Sequence, residues 1–166
     1  HNSHEQLRPA SVTKIMSILL IMEALDEERI TLDTQIPCSE NASSMGGSQI
    51  LLETNEQMSV YDLFKGLAVA SGNDAAVALA EKIAGTEEIF VSMMNKRAQE
   101  LGLQDTNFKN PHGLPEANHY SSAYDMAMMA KELVKYEKIF EFTSIYEDYL
   151  RKGTDRAFWL VKDRKS

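Results

Sequence analysis

From Ser59 to Gly102 the sequence is cut into helix-length pieces by residues that start and stop helices, and this punctuation limits the fold more than any other feature. Ser59 and Asp62 have the Ser-x-x-acid spacing of a capping box, which predicts a helix from about Val60 to Ala70 that breaks at Ser71-Gly72. A second helix is predicted over Asp74 to Ala84 with Gly85 as its stop, and Thr86 caps a third through Leu101, ended by Gly102. Ser122 and Asp125 repeat the box and open a helix to about Tyr136. Upstream, Pro9 suits a helix entrance and Ser11 a cap or first turn, giving a helix to about Asp26. Strand signals are short: Thr31 to Ile36, Ile50 to Leu52, and Tyr146 to Leu150 with Ala157 to Val161, read as a hairpin or as a helix end followed by a strand. Ser39 to Ser48, with Gly46-Gly47, reads as a loop, as does 102–120, a length that in a compact domain marks function or mobility. The expected fold is mainly α with a few short strands, in one domain over 1–166.

Composition narrows the function. The formal charge of −8, with basic residues gathered only at Lys162, Arg164 and Lys165, disfavours a nucleic-acid partner. Ile15 to Leu25 is the most apolar stretch, but Ser17 and Glu23 interrupt it and it is too short to span a bilayer, so a buried core helix is expected and no membrane segment. No export signal is visible at the N-terminus, and both ends look cut. The single Cys38 excludes an intrachain disulfide and reads as an inert thiol. His112 and His119 lie seven apart in a loop, a spacing that does not match helical zinc ligands, so no metal and no cofactor is expected. The pairs Met93-Met94 and Met128-Met129 read as core filler.

Two short motifs carry chemistry. Ser11-Val12-Thr13-Lys14 puts a hydroxyl and an amine on one face at the start of a helix. A lysine desolvated against that helix has a lowered pKa and accepts the serine proton, while the helix N-terminus disfavours its ammonium form and offers the Ser11 N–H to an oxyanion. Alone, Ser-x-x-Lys arises about once by chance in a chain of this length, and the bland reading is a capped helix with a solvent-facing lysine. Ser71-Gly72-Asn73 stands at a turn between two apolar helices, where hydroxyl and carboxamide could project into a cleft; by itself it reads as a helix-capping turn. The pair is far more specific than either motif.

Arg8-Pro9-Ala10-Ser11-Val12-Thr13-Lys14 followed by Ser71-Gly72-Asn73 resembles the low-molecular-mass penicillin-binding proteins, specifically the D-alanyl-D-alanine carboxypeptidases, and Ser-x-x-Lys is a signature of penicillin-binding proteins and class A β-lactamases. The likeness extends through Ser43 to Ser48, Asn110 to Leu114 and His119 to Asp125. It implies the helical portion of the penicillin-binding, β-lactamase-like α+β transpeptidase fold. It also implies a peptidoglycan stem peptide ending in D-Ala-D-Ala as substrate, β-lactams as acylating mimics, and a place in the cell envelope. Ser11 would be the nucleophile, Lys14 its general base, Ser71 a proton relay to the departing D-alanine, and Asn73 a group positioning both substrate and Lys14. Ser44, Gly46, Gly47 and His119 would line the substrate's path.

That family also carries Lys-Thr-Gly on a strand beside the cleft, and no such tripeptide occurs here. The expectation is a helical lobe with most of the central sheet missing, poor or inactive alone, with exposed apolar faces and a tendency to self-associate. A non-catalytic remnant that binds wall peptides or a partner is one alternative. A class A β-lactamase is the other, though that family usually has Asp where Gly72 stands and needs a deacylating Glu for which no convincing loop is present.

Overall fold

The computed structural model describes residues 2–145 and 147–162. A 3-10 turn over Ala10–Thr13 leads into α1 (Lys14–Asp26), then β1 (Gln35–Pro37), α2 (Glu40–Ser43), β2 (Gln57–Ser59), α3 (Val60–Ala70), α4 (Asn73–Ala84) and α5 (Glu87–Glu100). After a long loop come α6 (Ala123–Leu133), α7 (Ile139–Thr143), β3 (Glu147–Leu150) and β4 (Phe158–Val161). The strands form two antiparallel pairs, β1 with β2 and β3 with β4. The mainly helical expectation holds, and among the described residues no helix is long and apolar enough to cross a membrane.

Three of the main helices start where the sequence put a cap. Ser59, Thr86 and Ser122 each accept a hydrogen bond from the backbone N–H three residues on, those of Asp62, Ile89 and Asp125. Each cap fixes a helix entrance and so the direction in which its apolar face is laid.

Helices α1 and α4 are buried almost all round and divide the core between them. Ile21, Met22 and Ala24 of α1 and Ala75 to Leu79 of α4 pack with α3, both small sheets and α7. Met16, Leu19 and Leu20 on α1, with Ala80 on α4, pack with Phe90 and Met94 of α5, Phe108 and Met129. The alanines of α4 let its neighbours approach closely, and Phe64 of α3 and Phe142 of α7 stack tilted at 4.4 Å in the cluster that holds α3 and α7. A polar seam ties three helices together: Arg97 donates two bonds to Glu23 Oε2, at 2.7 and 3.0 Å, and sits 3.5 Å from Glu132, while the Tyr136 hydroxyl donates to Glu23.

Several expectations need correction. Ser39 to Ser48 is not all loop, because the Ser39 hydroxyl accepts from Ala42 N–H and starts α2. Ile50 to Leu52 is not a strand, since its N–H groups go to the Asp74 side chain. Within Thr31 to Ile36 only Gln35 and Ile36 are paired, and β1 runs on to Pro37. Helix α6 stops at Leu133 rather than Tyr136, and α7 was not foreseen. The region from Glu147 is a hairpin, with Tyr149 opposite Trp159, both about half exposed; Tyr146 lies outside the described residues.

Candidate active site

The site is built at the entrance to α1. Pro9 offers no side-chain cap, and Ala10 takes a φ of +48°, so the chain tightens into a 3-10 turn before α-geometry begins at Lys14. The Ser11 hydroxyl is therefore not consumed as a cap. Ser11 stays exposed, whereas Lys14, three residues on, is only 4% exposed.

One face of this entrance holds a loop from about a hundred residues away. Lys14 Nζ donates to the carbonyl of His112 at 3.0 Å, Ser17 Oγ donates to that of Pro111 at 2.5 Å, and Thr13 Oγ1 lies 2.8 Å from His119 Nε2. Asn110 shapes the loop from within: its Oδ1 accepts from Gly113 N–H at 2.7 Å and its Nδ2 donates to the Leu114 carbonyl. Gly113, at φ +94°, is pressed so closely on the Ala10 carbonyl that a Cβ there would lie 1.8 Å from its oxygen.

The other wall comes from the α3–α4 junction. Ser71 ends α3 in the left-handed region, φ +54°, half-buried, and Gly72 leads into Asn73 at the first turn of α4. The Asn73 N–H donates to the Ser48 carbonyl at 2.7 Å and its Nδ2 to the Gly46 carbonyl at 2.8 Å. Its Oδ1 is buried and, among the described residues, has no partner; a buried acceptor left so costs about 1–3 kcal/mol. Gly47 closes the ring, because a Cβ there would sit 2.7 Å from Asn73 Nδ2 and 3.3 Å from the Leu114 side chain. Ser11, Lys14, the 110–114 loop, the 46–48 loop and Asn73 thus form one connected wall, with Ser71 two residues before Asn73.

Electrostatics follow from burial. Desolvation lowers the Lys14 pKa to about 8, so about a tenth of the side chain is neutral at pH 7 and most of it at pH 9. Below pH 8 the fold bears a buried ammonium, a penalty relieved between pH 8 and 10.5. Desolvation, and then the Lys14 and His119 charges, lower His112 to about 4, and desolvation lowers His119 too. Both imidazoles accept a backbone N–H at Nδ1, from Leu114 and Lys109. The neutral form therefore carries its proton on Nε2, which at His119 donates to Thr13.

A pH dependence follows. His112 binds its proton more readily unfolded than folded, so its contribution is complete above pH 6.5 and is lost as pH falls toward 4, on the order of 3 kcal/mol in all. Burial pushes Glu56 upward, but hydrogen bonds from Arg151, the Glu53 N–H and Arg156 hold it at about 2, so it acts only below pH 4.5. Urea midpoints are expected to fall between pH 7 and 4.5, and the fall to shrink by more than half in His112→Asn, which keeps an acceptor for Leu114 N–H. Equal slopes in both proteins would reject the assignment.

The remaining candidates occupy different places. Ser44 is exposed and closes its own turn on the Asn41 carbonyl at 2.7 Å. Gly46 contributes a carbonyl, and Gly47 the close approach already described. His119 is buried with both ring nitrogens engaged, by Thr13 and Lys109, and it also lines a cavity beside Ala10. Sequence reasoning missed Thr13, Ser17, Asn110 and Asp74. Ser17 was visible as a polar break one turn beyond Lys14, and Asp74 as an acid in the first turn of α4.

That cavity, of about 190 Å³ and lined by Arg8, Pro9, Ala10, Gly113, Pro115, Glu116 and His119, adjoins the turn that carries Ser11. A larger one, about 430 Å³, lies at the opposite end of α1 and touches none of the residues above.

The D-alanyl-D-alanine carboxypeptidase peptidase family matches residues 1–164. The chain belongs to the D-alanyl-D-alanine carboxypeptidase family. It is 62% identical over 164 residues to the D-alanyl-D-alanine carboxypeptidase DacF of Bacillus subtilis, covering 99% of this chain and 42% of that protein. It is 40% identical over 153 residues to DacD of Escherichia coli, covering 89% and 39%. The crystal structure of penicillin binding protein 5 from Haemophilus influenzae superposes with a TM-score of 0.89 at 36% identity, over 98% of this chain and 47% of that one. The chain thus spans less than half the length of each of these three proteins.

Proposed function

We propose that this chain carries the acylation machinery of a serine-type D-alanyl-D-alanine carboxypeptidase acting on cell-wall stem peptides in the bacterial envelope. The observation that carries the reading is an exposed Ser11 three residues before a buried Lys14, whose pKa desolvation lowers to about 8, at one helix entrance. Neutral Lys14 takes the Ser11 proton as Oγ attacks the carbonyl of the penultimate D-alanine, and the Ser11 N–H stabilises the oxyanion. Ser71 passes a proton to the departing D-alanine amine, and Asn73 holds the peptide. Water then releases the shortened stem from Ser11. β-Lactams acylate the same hydroxyl. The cavity beside Ala10 gives the acyl part of the peptide room to extend, and no residue of 44–48 or 71–73 lines it.

Gly72 argues for this reading over a β-lactamase. A Cβ at Gly72 would lie 3.1 Å from Asp74 Oδ1 and 3.3 Å from Ile50 Cγ2, so an aspartate there would crowd one carboxylate onto another.

The test is covalent labelling of the chain by a fluorescent penicillin, read by intact mass, with Ser11→Ala as control. Labelling in the first and none in the second is expected; labelling of neither points to a non-catalytic binding lobe. No Lys-Thr-Gly occurs in these 166 residues, so acylation is the informative step rather than turnover. The acylation rate is expected to rise about tenfold from pH 7 to 9 and then level, following neutral Lys14. A flat profile over that range removes Lys14 as the base.

A further inference from the structure

No helix or strand includes residues 46–52, yet this segment is held from three directions. Asn73 binds the carbonyls of Gly46 and Ser48. The Asp74 carboxylate accepts from Ile50 N–H at 3.0 Å and Leu52 N–H at 3.0 Å. From the β3–β4 hairpin, Arg151 Nη1 donates to the Ile50 carbonyl at 3.2 Å, and Arg156 Nη2 to that of Leu51 at 2.8 Å. Both backbone groups of Ile50 are therefore taken by charged side chains, one on each side. Leu51 between them has φ +59° and is 54% exposed, a conformation its own side chain does nothing to favour.

Glu56 aims both arginines. It pairs with Arg151 Nε and accepts from Arg151 Nη2 at 3.0 Å, and Arg156 Nη1 lies 3.0 Å from it. Arg156 also pairs with Glu53 at 3.1 Å. The planar guanidinium reaches carboxylate and carbonyl together, which a lysine ammonium does not reproduce.

We propose that Arg151 and Arg156, oriented by Glu56, are positioning residues for the active site. By fixing the Ile50 and Leu51 carbonyls they set the 46–52 wall on which Asn73 is registered. The inference rests on the acyl-enzyme reading above. It differs from simple docking of the hairpin, because docking has its own anchors: Lys65 pairs with Asp148 at 3.0 Å, and Leu150 and Leu160 are buried.

The test removes both members of the tightest pair, Arg151→Met with Glu56→Met, so that neither charge is stranded and the stems stay packed; Arg156 keeps Glu53. Melting is expected to stay cooperative and near that of the unaltered chain. Amide exchange at Ile50 and Leu52 should speed up about tenfold, and penicillin acylation should slow by about tenfold or more, as displacements of about 1 Å in a site do. The control, Lys65→Met with Asp148→Asn, should acylate within about twofold of the unaltered chain, because it leaves the 46–52 wall in place. Unchanged exchange at 46–52 overturns the inference without any β-lactam. Unchanged acylation in the first variant, or an equal loss in the control, overturns it too. If the unaltered chain is not labelled, the acyl-enzyme reading falls and takes this role with it.

Discussion

Gly113→Ala is expected to cost more stability than a methyl at any other described glycine, on the order of 4 kcal/mol or more, and to abolish labelling of Ser11. The added carbon would fall 1.8 Å from the Ala10 carbonyl oxygen and 2.4 Å from its carbon, and neither is the movable end of a side chain. Both belong to the turn that presents Ser11, so relief of the clash must move that turn or the loop that receives Lys14. The left-handed φ of +94° adds its own strain to any L-residue. Gly153→Ala separates the two effects: Gly153 has φ +83° with nothing within 4 Å of its Cβ position, so it carries backbone strain alone, about 1 kcal/mol. Thermal melts of both variants, with penicillin labelling of each, check the argument. A Gly113→Ala protein that melts with Gly153→Ala and labels normally would mean that the loop does not press on the turn that carries Ser11.

The contrast between these glycines shows where a sequence stops being informative. Gly113 and Gly153 look alike in the chain, each in a polar loop, and only the segment lying against them differs. The same division runs through the fold. Helix α3 was legible to the residue, because its cap, apolar face and stop are all local. Helix α2 escaped because Ser39 caps it without an acid three residues on, and α7 because Lys138 provides no side-chain cap at all. Ser-x-x-Lys and Ser-Gly-Asn could be read as chemistry because the two short motifs occur together in one chain. What desolvates Lys14 is its enclosure by the loop bearing His112, 98 residues away, and nothing in the local pattern specifies that partner. His119 was read as a residue on the substrate's path; what its place in the chain did not show is that its ring nitrogens are held by Thr13 and Lys109.

Asp74→Ala is expected to destabilise the chain by about 3–5 kcal/mol, and Asp74→Asn by about half as much. The carboxylate is fully buried and accepts from the N–H groups of Ile50, Leu52 and Ala75, the last at 2.9 Å. Alanine leaves those three donors without their acceptor in a dry environment. Asparagine restores one oxygen but turns an amide NH2 toward N–H groups that need an acceptor. The effect should not stop at stability. Asp74 follows Asn73 on the first turn of α4, and the two residues hold neighbouring stretches of one segment, Asn73 through its backbone N–H and side chain at 46–48 and Asp74 through its carboxylate at 50–52. Once the second stretch is loosened, the Gly46 and Ser48 carbonyls lose their register on Asn73. Acylation should therefore fall by more than the loss of folded protein explains, about tenfold for Asp74→Asn at a temperature where it is still fully folded. Urea titration gives the first quantity and labelling kinetics on the folded fraction give the second. Loss of stability with an unchanged rate constant would make Asp74 a fold residue only, and would separate the 50–52 segment from the chemistry at Ser11.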